Sequence, residues 1–277
     1  MINPSKLSEE FKNNGYIVIE SYIDSFKIEN VLLGLESFAE HKNVFYTQST
    51  HRYINAIKDK KGFITESMEG VCLQYNAGKL GESINKILLG EEINYLLKNL
   101  FPEYNKFVQK QHMLFDKSIS TIDHIDSYYL DTFPKGYLVG VWVALEDISP
   151  DSGPFRVYPK SHISTNPYEL DKLNHEDFKK KINILKNNFN VKELHLKKGS
   201  VVIWDSRLIH GASKIKNHNF SRKSLTGHYY PMNMQTQQKL IYQSPINTTR
   251  KIINEILFKP RLLSRKYKIY TQYSFNY

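Results

Sequence analysis

GYLVGVWVALEDISPDSGPFRVYP, residues 136 to 159, decides the fold. It opens on a long apolar, β-branched run, closes on a shorter one, and between them packs Ser149, Pro150, Asp151, Ser152, Gly153 and Pro154, a concentration of turn formers. The same texture recurs on both sides, in FVQKQHMLF (107 to 115), STIDHIDSYY (120 to 129), KELHLKKG (192 to 199), SVVIWDSRLIHGA (200 to 212) and RKSLTGHYYP (222 to 231). Short strand-like runs separated by Gly, Pro, Asn and Asp predict an antiparallel sandwich or barrel.

Upstream the pattern is helical. PSKLSEEFKNNGYIVIE (4 to 20) reads as a capped helix, a turn at Gly15 and a first strand, and residues 24 to 41 place Phe26, Ile28, Val31, Leu32, Leu35 and Phe38 at helical spacing. ESINKILLGEEINYLLKNL (82 to 100) reads as a helical pair, so the first hundred residues are expected to be helix-rich around one or two strands. One domain is expected: a helix-rich support (1 to 106), a β core (107 to 231) interrupted by a lysine-rich helical insertion or flap (165 to 192), and a basic extension (232 to 277).

The 277 residues suffice for a substantial core, and 40% hydrophobic content is that of an ordered chain. Cys72 is the only cysteine, which forbids an internal disulfide, fits a reducing compartment and leaves histidine and carboxylate to bind any metal. No run approaches the length of a spanning helix and the start lacks an apolar signal core, so the expectation is a cytoplasmic protein. Net charge is +10, concentrated at the C-terminal end, where residues 250 to 277 carry seven Lys and Arg against Glu255 alone. Only RKYKIYTQY (265 to 273) mixes bases with aromatics, and no nucleic-acid partner is expected.

In HIDSYY, His124 and Asp126 stand two apart in a β-favouring run, where a strand would project both from one face. His210 follows the apolar SVVIW run and is the natural third ligand. Two imidazoles and one carboxylate with open positions form the arrangement of non-haem Fe(II) oxygenases, with a zinc hydrolase as the rival. Arg222, twelve residues on and expected on the adjacent strand, can grip a carboxylate in two-pronged fashion, which a hydrolase does not need.

These residues, with WVALEDISPDSGPFRVYPKSH (142 to 162) and KNNGYIVIESYID (12 to 24), resemble the phytanoyl-CoA dioxygenase family of Fe(II)- and 2-oxoglutarate-dependent oxygenases. The resemblance implies a mainly β protein with flanking helices, an α+β fold around a double-stranded β-helix, the jelly-roll or cupin-like core. It implies that His124, Asp126 and His210 bind iron and that Arg222 pairs with 2-oxoglutarate, O2 being the other co-substrate. Trp142 and Gln111 stand at co-substrate positions, and Tyr129 at a substrate position. Relatives often carry Ser or Thr two residues after the distal histidine to assist the co-substrate contact; here Ala212 occupies that place, and Ser213, which follows, is the residue expected to bind the co-substrate.

The implied reaction hydroxylates a small organic substrate, expected to be anionic if the flap lysines Lys179, Lys180 and Lys181 face the pocket. The carboxylate ligand that halogenases lack is present as Asp126. Rival readings are a metal-free jelly-roll binding module and a hydroxylase of a macromolecule. His112, His195 and His228 are read as structural, and Arg156 and His162 as fixing the turn after the long strand.

Overall fold

A computed structural model describes residues 3–47, 49–71 and 77–236 and the backbones of two short strands beyond them. In chain order the elements are α1 (Pro4–Asn14), β1 (Tyr16–Ile19), α2 (Ser25–Glu40), β2 (Val44–Thr47), β3 (Arg52–Asn55), β4 (Met68–Glu69), α3 (Gly78–Leu88), α4 (Glu91–Leu100) and β5 (Phe107–Phe115). Then come α5 (Ser127–Leu130), β6 (Thr132–Phe133), β7 (Val139–Ala144), β8 (Phe155–Val157), α6 (Ser161–Ser164), α7 (Pro167–Leu170), α8 (His175–Leu185), β9 (Lys192–Glu193) and β10 (Val201–Asp205). β11 (His210–Ala212), β12 (Ser224–Pro231), β13 (Gln235–Thr236), β14 (Ile252–Ile253) and β15 (Ile256–Phe258) follow.

Two sheets face each other. The large one runs β1-β10-β7-β12-β5-β4-β2-β3, and the small one β11-β8-β9. Alternation along the large sheet's central strands sorts their side chains onto two faces. Val139, Val141, Val143, Val201, Ile203 and Leu225 pack with Ile28, Leu35, Leu80 and Leu97 of the helices. Trp142, Val202 and Trp204 point the other way and meet Phe155, Val157 and Leu196. This is the expected sandwich with helices on its outer face, and the cleft that holds the candidate site lies between the sheets.

Local chemistry explains the ends. The Asn3 side chain accepts from the Ser5 backbone N–H (3.1 Å), Pro4 opens α1, and Gly15 ends it with φ 79°, a left-handed conformation cheap for glycine. A side chain at Gly15 would also strike the His162 ring, whose Nε2–H donates to the Lys12 carbonyl (3.0 Å).

Three expectations are revised. The described residues of the N-terminal part hold four strands, because β2, β3 and β4 extend the large sheet. HIDSYY is not a continuous strand: His124 forms an isolated bridge with His210, and Asp126 (φ −70°, ψ −30°) starts the α5 turn, stabilised by Leu130 N–H donating to its carbonyl (2.9 Å). KELHLKKG contributes only β9. Of the basic extension, residues 237 to 277 lie outside the described residues apart from the β14 and β15 backbones, as does Cys72.

Candidate metal centre

His124 and His210 are locked together by reciprocal backbone bonds, His124 N–H to His210 O (2.9 Å) and His210 N–H to His124 O (3.0 Å). This puts their imidazoles side by side, 4.3 Å between centroids. His124 Nδ1 lies 2.8 Å from the Ile122 carbonyl and His210 Nδ1 2.9 Å from that of Leu208. A carbonyl can only accept, so each Nδ1 carries the proton and each Nε2 presents a lone pair when the ring is neutral. Both Nε2 atoms face Asp126 Oδ1, at 3.4 and 3.7 Å. One ligand atom from each of the three residues lies within 4.8 Å of the others. Three converging electron-pair donors at a buried point suit a cation, and two imidazoles with one carboxylate suit ferrous iron with positions left open.

The other carboxylate oxygen is held from behind. Trp204 Nε1–H donates to Asp126 Oδ2 at 2.7 Å, and His228 Nε2 lies 3.3 Å from the same atom. Burial alone would raise the Asp126 carboxyl, but the charge that the facing His210 and His228 rings carry when protonated, with the hydrogen bond that protonated His124 donates, outweighs it and holds it well below the usual range. Burial depresses His210 to about 4, so that ring is neutral and ready to coordinate near neutrality.

Register explains why the sequence builds this cradle. Trp204 pairs with Gly140, Gly140 with His228, and His228 with Gln111, so one row crosses four neighbouring strands. A Cβ on Gly140 would sit 2.1 Å from the Trp204 ring. Only glycine lets the indole lie across the sheet and reach Asp126. The adjacent row is Val202, Trp142, Thr226 and Met113.

The centre opens into a cavity of about 560 Å³. Of the residues singled out in the sequence, His124, Asp126, His210, Arg222, Trp142, Gln111 and Tyr129 line it; Ser213 is buried but is not part of the wall, where Ala212 stands instead. Arg222 is 3% exposed. It lies just ahead of β12, in the sheet opposite β11, so it faces His210 across the sandwich rather than along a shared hairpin. Its guanidinium packs on Phe115 (5.6 Å) and Trp142 (6.0 Å); among the described residues it reaches only the Gly153 carbonyl (3.4 Å), and Nε has no partner. Burial pushes it down to about 10, still cationic at neutral pH. A buried cation without a carboxylate is costly, and that makes it a receptor for one.

Tyr129 donates to or accepts from His175 Nε2 (3.1 Å), and burial followed by Tyr128 and Asp126 pushes its hydroxyl up to about 12. Arg156 steadies the loop that carries His124. Its Nε–H and the Tyr158 hydroxyl donate to Asp123, the neighbour of His124, at 2.8 and 3.0 Å, joined by Lys186 Nζ at 2.7 Å. Lys186 follows α8, so the insertion is tied to the histidine-bearing loop. Phe178 and Ile182 of α8 also pack with Ile125 and Ile209. Lys180 and Lys181 are exposed, Lys179 is half-buried, and none of the three lines the cavity, which removes the reason for expecting an anionic substrate.

Three contributors escaped the sequence reading. Trp204 and His228 needed the strand register, although each sits six residues from a named site residue, His210 and Arg222 respectively. The outer wall, with Tyr46, Ser49, His51 and Ser67, comes from the N-terminal strands and carries no motif.

Comparison with known proteins agrees with this layout. The family model for phytanoyl-CoA dioxygenase (PhyH) matches residues 11–224, and the chain belongs to that family. The chain is 24% identical over 190 residues to the phytanoyl-CoA dioxygenase domain-containing protein 1 homolog of Caenorhabditis briggsae, covering 58% of this chain and 66% of that protein. The Caenorhabditis elegans homolog gives 24% over 188 residues, 58% and 65%. The aligned part thus spans just under two thirds of these curated relatives. Among solved structures, EctD from S. alaskensis, with 2-oxoglutarate and 5-hydroxyectoine, shares the fold at TM-score 0.59 and 16% identity, over 83% of this chain and 76% of that one. The non-heme alpha ketoglutarate dependent epimerase SnoN gives TM-score 0.58 and 14% identity, over 83% and 84%. No helix among the described residues is long and apolar enough to cross a membrane.

Proposed function

We propose that this chain is an Fe(II)- and 2-oxoglutarate-dependent dioxygenase that hydroxylates an unactivated C–H bond of a small organic molecule. The observation that carries the reading is the pairing of a His124, Asp126 and His210 cluster with the buried Arg222, which meets no carboxylate among the described residues, in one cavity. Iron and 2-oxoglutarate, when bound, supply oxidation of the substrate by O2 with release of succinate and carbon dioxide.

The chain's residues do the rest. His124 and His210 bind through Nε2, with their tautomers set by the Ile122 and Leu208 carbonyls. Asp126 offers Oδ1 while Trp204 restrains Oδ2. Arg222 takes the far carboxylate of the keto acid, and Trp142 and Phe115, packed against its guanidinium, exclude water from that pair and so strengthen it. Gln111 and Tyr129 orient co-substrate and substrate from the wall. Structural neighbours include an epimerase and a carbocyclase as well as EctD in complex with 5-hydroxyectoine, and hydroxylation is the reading adopted here.

The test is anaerobic titration of the purified protein with Fe(II) and 2-oxoglutarate, followed by exposure to O2. A weak visible charge-transfer band, and then succinate, are expected, both lost in Asp126→Ala. A wild-type protein that binds neither metal nor keto acid rules the proposal out.

A further inference from the structure

The cavity wall says what kind of molecule is oxidised. Among the described residues that line it, Asp126 and Arg222 are the only Asp, Glu, Lys or Arg. On the proposed function, on which this inference rests, both are consumed: Asp126 by the metal and Arg222 by the co-substrate. Of the four lining histidines, two are ligands, His228 backs Asp126, and His51 sits exposed at the rim beside the Tyr46 hydroxyl (3.1 Å). What is left for a second molecule is an apolar body made by Met113, Ile119, Ile122, Leu130 and Phe155, with the Tyr129 hydroxyl and, on the outer side, the hydroxyls of Ser67 and of Ser49, which already donates to Glu66 outside the wall. The lysines of the insertion do not reach it.

We infer that the primary substrate is uncharged where it enters the cavity: an apolar body, ring or chain, bearing neutral hydroxyl or carbonyl groups that meet the Ser49 and Ser67 side. A carboxylate or ammonium group buried among these apolar residues would lose its hydration with no counter-charge left among the described lining residues to replace it, whereas a hydroxyl or amide needs only one hydrogen bond. About 560 Å³ leaves room for such a molecule beside the small keto acid.

Both tryptophans of the chain, Trp142 and Trp204, line the cavity, so intrinsic fluorescence reports its occupancy directly. The probes are 4-phenylbutanamide, 4-phenylbutanoate and 4-phenylbutylammonium, matched in shape and differing in charge. They are titrated into full-length protein loaded with Mn(II) and N-oxalylglycine, an unreactive analogue of 2-oxoglutarate. The amide is expected to bind at least about tenfold more tightly than either ion. With N-oxalylglycine omitted, the anion is expected to gain at least about tenfold by reaching Arg222. Equal or tighter binding of either ion in the ternary complex overturns the inference, and so does binding of none of the three. Failure of the parent reading is seen separately, in the first titration, as absence of any response to N-oxalylglycine by the metal-loaded protein.

Discussion

The inner and outer halves of the cavity are built on different plans. The inner half uses residues fixed by strand register and short local turns: a histidine pair locked by two backbone bonds, a carboxylate gripped at one oxygen, and an arginine enclosed by Phe115 and Trp142. The outer half borrows Tyr46, Ser49, His51 and Ser67 from strands and loops of the N-terminal part, which join the core through β4 pairing with β5 and through Phe45, Ile64 and Met68 packed in it. On the proposed function, the chemistry sits on elements fixed by strand register and the recognition of substrate on loops and short strands of the N-terminal part.

This contrast is broken most severely at Arg222. Replacing it with Ala removes the only described cation facing the keto acid. Loss of one partner of a buried charge pair costs about 2 to 5 kcal/mol, so the KM for 2-oxoglutarate is expected to rise at least about thirtyfold. Arg222→Lys should fail to restore it, lacking the two-pronged grip. Steady-state kinetics with varied 2-oxoglutarate measures both, and an unchanged KM would assign the co-substrate elsewhere.

Trp204→Phe asks whether the inner half depends on support behind the ligands. It deletes the 2.7 Å bond to Asp126 Oδ2 while keeping most of the ring packing. Metal affinity is expected to weaken about tenfold, in line with loss of a ligand-orienting partner, with a melting temperature close to that of the parent. Co(II) titration followed by absorbance reads the first and calorimetry the second. A large drop in melting temperature with unchanged affinity would make Trp204 a core residue only.

The smallest effect is expected on the other side. Ser67→Ala should leave the KM for 2-oxoglutarate unaltered and change the KM for the primary substrate by about twofold to tenfold, the worth of one hydrogen bond. A matching change in both constants would mean that the two halves are not separable.

The same division governs how much the sequence discloses. β5, β7, β10 and β12 were legible because each is a run of strand length with apolar periodicity, and α2 because six apolar residues recur at helical spacing. The convergence of His124, Asp126 and His210 was legible because metal-binding chemistry tolerates few residue types. HIDSYY misled because Tyr128 and Tyr129 favour strands, yet the chain turns there: Tyr128 stacks on Phe178, 3.7 Å between centroids, and Ser127 N–H donates to the Ser206 carbonyl. Tertiary contacts override local preference at that point. β2 to β4 and the outer wall left no trace, since a two-residue strand such as Met68–Glu69 has no periodicity to read.

The shared carboxylate of Asp123 bears on how molecules get in. Arg156 and Lys186 both neutralise it, and its side chain is 1% exposed. Swinging the 165 to 192 segment outward would strip Lys186 from a buried anion and part Phe178 and Ile182 from Ile125, an expensive motion for each turnover. Lys186, Phe178 and Ile182 thus make the segment a buttress for the loop that carries His124.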